Sequence, residues 1–523
     1  MFHPAQEWVI TEMRMKSRRT KGWCRGTRLI LATAGFMGAI NVGLKQARAG
    51  VDQWIGPSGG AWDKASNWSN GLPQSTSDVV DAHTGGKINF NTTTTINSIV
   101  TSEGLLLSGG LLSGAQSNAA STLAFNGTLG FDGGFLKNFT LQSQSIGNVV
   151  VYSGKTNLFS NLVVNAPVSC SGTFGTFIDL EGRNTFNGAV NLSVPGVEVF
   201  LHMPATSMNL GSGASLTGCG IIQSSSSPTT LVNDGVVTAN VAANPLTLGA
   251  ETITGRGVFE ARNGAQLVLR GAVGGTSEAT APTFFIDSKP GSGIVFAHMG
   301  GLKGFVGTSA GTLNFDSGYT FIGSARVAAA LSVTPGATVH VLGANALLGT
   351  MQLASPLIGL GAATNAPLVV EGSSSLELTS GASIRGFGAV LGGFGGGIPS
   401  LINGGLISAN VPGQILLLDN NMVGAGTWEA SNGGILQLKG TFNGSNPTFR
   451  ADANSQILTS ATFSGSYGTA QATLAFTGGS LEHATFAPDF NVLSQAIVVI
   501  NQSTVVGTVT LRNWPEITSG FPR

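Results

Sequence analysis

Two stretches of this chain repeat each other, one opening at Leu231 and the other at Leu401, and that repetition constrains the fold more than any other feature. Leu231-Val-Asn-Asp-Gly-Val-Val-Thr-Ala-Asn-Val241 returns as Leu401-Ile-Asn-Gly-Gly-Leu-Ile-Ser-Ala-Asn-Val411. One deletion later, Gly255, Gly257, Phe259, Glu260, Ala261, Asn263, Gly264, Leu267, Leu269, Arg270 and Gly271 match Gly424, Gly426, Trp428, Glu429, Ala430, Asn432, Gly433, Leu436, Leu438, Lys439 and Gly440. Ser212 to Gly220 likewise matches Ser380 to Gly388, and Thr-Leu-x-Phe opens related phrases at Thr128, Thr312 and Thr473.

Within each unit, short runs of Val, Leu, Ile, Phe and Thr alternate with Gly, Asn, Ser or Pro turns, and no stretch after residue 49 shows helical apolar spacing. Such short segments cannot bury an apolar side alone, whereas stacked turns of about 20 to 25 residues can. The sequence predicts an all-β fold, a right-handed parallel β-helix. An array of β-sandwich units is the alternative, although sandwich units would repeat nearer ~100 residues. The expected division is 1–49 signal peptide, 50–121 N-terminal cap with a Trp-rich motif, 122–311 and 312–472 two repeat units, and 473–523 a partial third.

Charged residues make up only 10% of the chain, but 42% is hydrophobic, which argues for a packed protein over a disordered one. The net charge of zero hides an asymmetry. Nine of the 25 basic residues and two of the 25 acidic ones lie in the first 49, leaving 16 basic against 23 acidic, a net of −7. The remaining basic residues are scattered, which removes the electrostatic footprint of a nucleic-acid binder.

The N-terminus has the layout of a secretory signal: Arg14 to Arg28 rich in basic residues, an uncharged run Leu29 to Leu44, then Ala47-Arg48-Ala49. Cleavage is expected between Ala49 and Gly50, with Met13 or Met15 as alternative starts, leaving no transmembrane segment in the mature chain. Cys24 would leave with the signal. Cys170 and Cys219 remain, either bridged in an oxidising exterior or separate as small core residues.

The stretch Trp54-Ile-Gly-Pro-Ser-Gly-Gly-Ala-Trp62-Asp-Lys-Ala-Ser-Asn-Trp68-Ser-Asn-Gly71-Leu-Pro73, with Asp78-Val79-Val80 after it, resembles the start of large secreted bacterial repeat proteins related to autotransporter passengers. The repeated Glu-Ala-x-Asn-Gly-Gly-x-Leu phrase is similar to that group too. The resemblance implies a β-helical surface or secreted protein. The chain departs from the group near Arg523, where a membrane β-barrel or an anchoring span with a basic tail would be expected.

Catalytic chemistry on a β-helix needs clustered carboxylates, and the acids here are mostly single. Asp179 with Glu181 and Asp78 with Asp81 are the nearest pairs, read as solvated charge. Glu260 and Glu429 occupy equivalent positions and are expected to pair with Arg270 and Lys439. The histidines at 83, 202, 298, 340 and 483 have no metal-ligand spacing, and Gly386 to Gly397 lacks the Lys-Ser or Lys-Thr of a phosphate loop. No cofactor and no metal are implied.

Trp54, Trp62 and Trp68 have two readings: a plug on the first turn, or flat faces for a glycan. The expectation is thus a secreted or cell-surface structural, adhesin-like protein without catalytic activity, its partners extracellular polysaccharide or a neighbouring cell surface. A polysaccharide lyase or hydrolase and an N-terminal glycan-binding module are the alternatives.

Overall fold

In the computed structural model, described residues run from 51 to 512, less 82–86, 103, 118, 120, 153, 173–174, 203–204, 226–227, 298–299, 317, 355–366, 394–396 and 469. The expected cleavage site at Ala49 and Gly50, with the basic and apolar segments before it, lies outside them. Residues Gly50–Arg523 form one compact unit.

That unit is a parallel β-solenoid with three strands per turn. The first full turns show the pattern. Asp78–Asp81, Ile88–Phe90 and Thr93–Ile96 are followed by Ser98–Thr101, Gly104–Leu107 and Leu111–Gly114, and each strand pairs in parallel with the third after it. Three ladders therefore run side by side, one of them ending at Ser309–Ala310 where another column takes its place, and the pairing between named strands is parallel throughout. The β-sandwich alternative is excluded by this geometry, since sandwich sheets are antiparallel.

Inward positions alternate with outward ones along each strand, so Thr176–Glu181 and Ala337–Leu342 both read buried, half-buried, buried. Aligned rungs stack like side chains over one another. Phe296 lies over Phe315 at 5.2 Å between ring centroids, and Phe442 over Phe463 at 5.4 Å. One continuous apolar core runs from Trp54 to Ala496.

The repeated phrase builds a corner. Asn233 and its counterpart Asn403 are wholly buried. Asn233 donates from Nδ2 to Val258 O at 3.1 Å and accepts from the Gly235 amide at 3.1 Å; Asn403 donates to Thr427 O at 2.9 Å and accepts from the Gly405 amide at 3.0 Å. Gly255 and Gly424 come next in the same corner with φ of +104° and +116°, and a Cβ on either would run into the backbone of the asparagine below. The matched Asn-Gly turns agree as well. The amides of Asn263 and Asn432 donate to Asp287 and Asp452 on the following turn, while those of Gly264 and Gly433 donate to Ser292 and Ser455, each at 2.9 Å.

The two copies nonetheless do not stack face over face. From Leu231 the ladder climbs through Ile253, Val273, Leu302, Ile322, Val341 and Val370 to Gly392. Those are seven steps, and Leu401, which matches Leu231, sits on the next strand, Ser400–Asn403. An independent path agrees. Leu246 climbs through Leu267, Ile294, Leu313, Leu331, Met351 and Ile384 to Ile407, the counterpart of Val237, whose own strand precedes that of Leu246. The copies are therefore offset by seven turns and a third. Steps of the first path are unequal, the one from Ile322 to Val341 being much shorter than the next, from Val341 to Val370. The register also shifts at Lys303 and Gly304, where Gly304–Val306 begin a new column with Ala325–Val327. Equivalent side chains consequently point outward a third of a turn apart.

Candidate functional site

The three tryptophans of the first turn are packed into the core. Trp54, Trp62 and Trp68 are 7%, 2% and 3% exposed, with Trp68 edge-on to both partners at 4.9 and 4.5 Å and Trp62 against Phe90 at 5.2 Å. The Trp68 indole donates to Trp62 O at 2.7 Å. Their faces are taken up by one another and by Phe90.

Glu260 does not pair with Arg270. Its partner is Arg262, two residues on, in a bidentate contact at 2.8 and 2.9 Å, because alternation places residues 260 and 262 on the same side of the strand direction. Thr238 Oγ1, one turn below, donates to it at 2.9 Å, and the Arg262 guanidinium covers the Phe285 ring at 4.4 Å. The Arg262 hydrogen bonds hold the Glu260 carboxyl below its ordinary range. Glu429 instead accepts from Ser408 Oγ at 2.7 Å, so the expected Lys439 contact is replaced in the same way. The repeated acid thus ties one turn to the one below.

Other candidates are spent on architecture too. Asp78 accepts from Asn97 and Ser98 at 2.7 and 2.6 Å, and Asp81, 2% exposed, accepts from Thr101 Oγ1 at 2.9 Å. His340 Nδ1 lies 2.7 Å from Glu371 Oε1. His83 and His298 fall outside the described residues. Cys170 and Cys219 are free and buried, so the bridged alternative is excluded, and burial pushes the Cys170 thiol up to about 12. An open recess of about 670 Å³ is lined by Asp452, Gln471, Asp489 and Arg512 among others, but Asp452 accepts from Asn432 N and Ser455, and Asp489 from Thr508 N at 2.7 Å. Among the described residues no group of three His, Cys, Asp or Glu could hold a metal ion, and no helix is long and apolar enough to cross a membrane.

One outward face is different. Asp179 and Glu181 belong to strand Thr176–Glu181 and point outward from it, not into a solvated loop. The next strand of that ladder, Val197–Leu201, sets Glu198 beside Phe177 and Phe200 beside Asp179, and the His202 amide continues the register by donating to Leu180 O. Three carboxylates, two phenyl rings and an imidazole therefore share one face. The Phe177 and Phe200 rings lie 6.5 Å apart and 30° from parallel. Burial raises the Asp179 carboxyl above its usual range and Glu181 adds to the rise, while His202 opposes it.

The apolar character of this face extends to either side. In register below Asp179 come Leu158, Phe135 and Leu111; above Glu198 comes Ile221. The Asp179 and Glu181 pair is legible in the sequence; its neighbours, which arrive one turn later in the chain, are not. The available signal was the matched alternation of Phe177-Ile-Asp179-Leu-Glu181 with Glu198-Val-Phe200-Leu-His202. Comparison of the chain with protein families, with characterised proteins and with solved structures returns no match.

Proposed function

We propose that this protein acts outside the cytoplasm as a secreted or cell-surface structural and adhesive solenoid, like the autotransporter-related repeat proteins its opening resembles, and without turnover of its own. One observation carries the reading. The positions shared by the two copies serve mainly the core, the corners and the ties between turns, and the third-of-a-turn offset points equivalent outward residues in different directions. A duplicated catalytic or ligand face would need them aligned; a duplicated scaffold does not.

Two measurements test it. Residues 1–49 fused to a phosphatase active only outside the cytoplasm should confer activity, and failure of that fusion removes the export half. Mature Gly50–Arg523 should be retained on cell surfaces or matrix material while leaving a panel of acidic and neutral polysaccharides at their starting length; reproducible shortening refutes the non-catalytic half.

A second reading, a polysaccharide-cleaving enzyme, is favoured by the meeting of Asp179, Glu181, Glu198 and His202 on one face. It requires that any cleavage be lost in Asp179→Asn and Glu198→Gln.

A further inference from the structure

We propose that the outward face built by Leu111–Gly114, Phe135–Lys137, Thr156–Ser160, Thr176–Glu181, Val197–Leu201 and Gly220–Ser224 is a docking surface for a polypeptide segment that combines apolar with basic side chains. The proposal rests on the adhesive reading and gives it a partner chemistry.

Farther along the same ladder the outward column above Ile221 passes through Thr247 and the smaller Val268 and Val295, then turns polar at Asn314, Ser332 and Gln352. Here the corresponding positions hold Leu111, Phe135, Leu158, Phe177, Phe200 and Ile221, with Phe135 36% exposed and the rest half-buried. These six lie in two neighbouring columns on six adjacent strands, so at ~4.8 Å per strand the apolar strip runs about 24 Å along the ladder. The continuous core is complete without these side chains, which lie outside it and stay partly open to water even where Phe177 and Phe200 stack. Apolar strips of this extent on a protein surface mark places where another molecule sits.

Charge selects the partner. Asp179, Glu181 and Glu198 stand within the strip and Lys137 and His202 at its side, so the patch is acidic on a chain whose residues after 49 sum to −7. An apolar centre bordered by carboxylates complements arginine and lysine, whose cations also settle over phenyl faces. A second copy of this chain would bring carboxylates against carboxylates, which disfavours self-association. Saccharide is the weaker fit, because half of the strip is aliphatic and offers no ring face on which a sugar can stack.

Fluorescence anisotropy of a labelled synthetic peptide alternating leucine with arginine, titrated with Gly50–Arg523 at low salt, tests this directly and is independent of export. The arginine peptide should bind and its glutamate counterpart should not. Phe177→Ser with Phe200→Ser should weaken binding at least about tenfold, as loss of central aromatic contacts does. Asp179→Asn with Glu198→Gln should weaken it and flatten its salt dependence. Gln352→Ala, on the same ladder outside the strip, should change nothing. Circular dichroism should stay at the parental spectrum in every variant; the unfolding midpoint should hold in Asp179→Asn with Glu198→Gln and in Gln352→Ala, and should fall in Phe177→Ser with Phe200→Ser, whose half-buried rings stack, so that variant is titrated well below its own midpoint. Equal binding of both peptides, retention of affinity by the folded variants, or displacement of the peptide by neutral oligosaccharides would each overturn the proposal; the last result would assign the face to sugar while leaving the adhesive reading intact.

Discussion

Replacing Asn403 by alanine removes both hydrogen bonds that hold its corner, to Thr427 O and from the Gly405 amide, in a site with no exposure. The donor left without a partner costs about 1–3 kcal/mol, and the lost bond to Thr427 adds roughly 1 more. The expected destabilisation is about 2–4 kcal/mol. Asn233→Ala should cost the same within about 1 kcal/mol, because its bonds to Val258 O and from Gly235 N repeat the geometry. Asn191→Ala, at an exposed position where the side chain bonds Ser193, should stay within about 0.5 kcal/mol of the parent. Each turn of a solenoid contacts mainly its neighbours, so the damage should be local. Native-state hydrogen exchange read by mass spectrometry is the suitable assay. Peptides covering Leu401–Asn403 and Thr427–Ala430 should exchange faster in Asn403→Ala by roughly 30- to 900-fold, the equivalent of that free energy, with distant turns unaffected. An acceleration below about threefold in both corner variants would refute the claim that the asparagine is kept in both copies for its corner bonds.

Three further outcomes follow from particular side chains. The buried Trp428 indole N–H has no hydrogen-bond partner, and the matching residue of the first copy is Phe259; Trp428→Phe should therefore shift stability by no more than about 1 kcal/mol, whereas Trp428→Ala should cost about 3–5 kcal/mol in urea unfolding. Native protein should resist thiol alkylation at mildly alkaline pH and take up reagent at both Cys170 and Cys219 once unfolded, with no disulfide by mass, since burial raises both thiols. Hydrogen bonds from Ser455 first, then from the Asn432 amide, lower the Asp452 carboxyl. Its stabilising contribution is present above the unfolded carboxylate value of about 4 and disappears as pH falls through the depressed folded value, so Asp452→Asn should flatten the acid limb of a stability profile measured by urea titration.

The legible part of this fold was its repetition. Asn233, Gly255 and Gly257 stood out because they recur as Asn403, Gly424 and Gly426, and alternation separated inward from outward side chains on nearly every strand. The third-of-a-turn offset was hidden, because steps as unequal as Ile322 to Val341 and Val341 to Val370 prevent the spacing between copies from revealing how many strands it contains. The partners of Glu260 and Glu429 differ from the expected Arg270 and Lys439 for a related reason. Residues repeated together need not touch, and on a parallel strand the residue two positions away lies closer than one ten positions away. The acidic and apolar face around Asp179 is half visible, since its second row depends on a register of Asp179 with Phe200 for which the matched alternation of the two segments is the one signal, and alternation alone leaves the pairing of rungs open.

Spin labels placed on one ladder measure the stacking of successive turns most directly. Gln266, Gly293, Thr312, Ala330 and Thr350 lie on successive rungs, and Thr350 is followed by Ser383, Leu406, Thr427 and Thr448. Labels at Gln266→Cys and Thr350→Cys are four steps apart, and at Gln266→Cys and Thr448→Cys eight. With ~4.8 Å per step, electron–electron double resonance should return main distances of about 19 and about 38 Å, the second twice the first, broadened by the label linkers. Distances that fail to grow in proportion to rung number would contradict the three-stranded parallel solenoid on which the rest of the account depends.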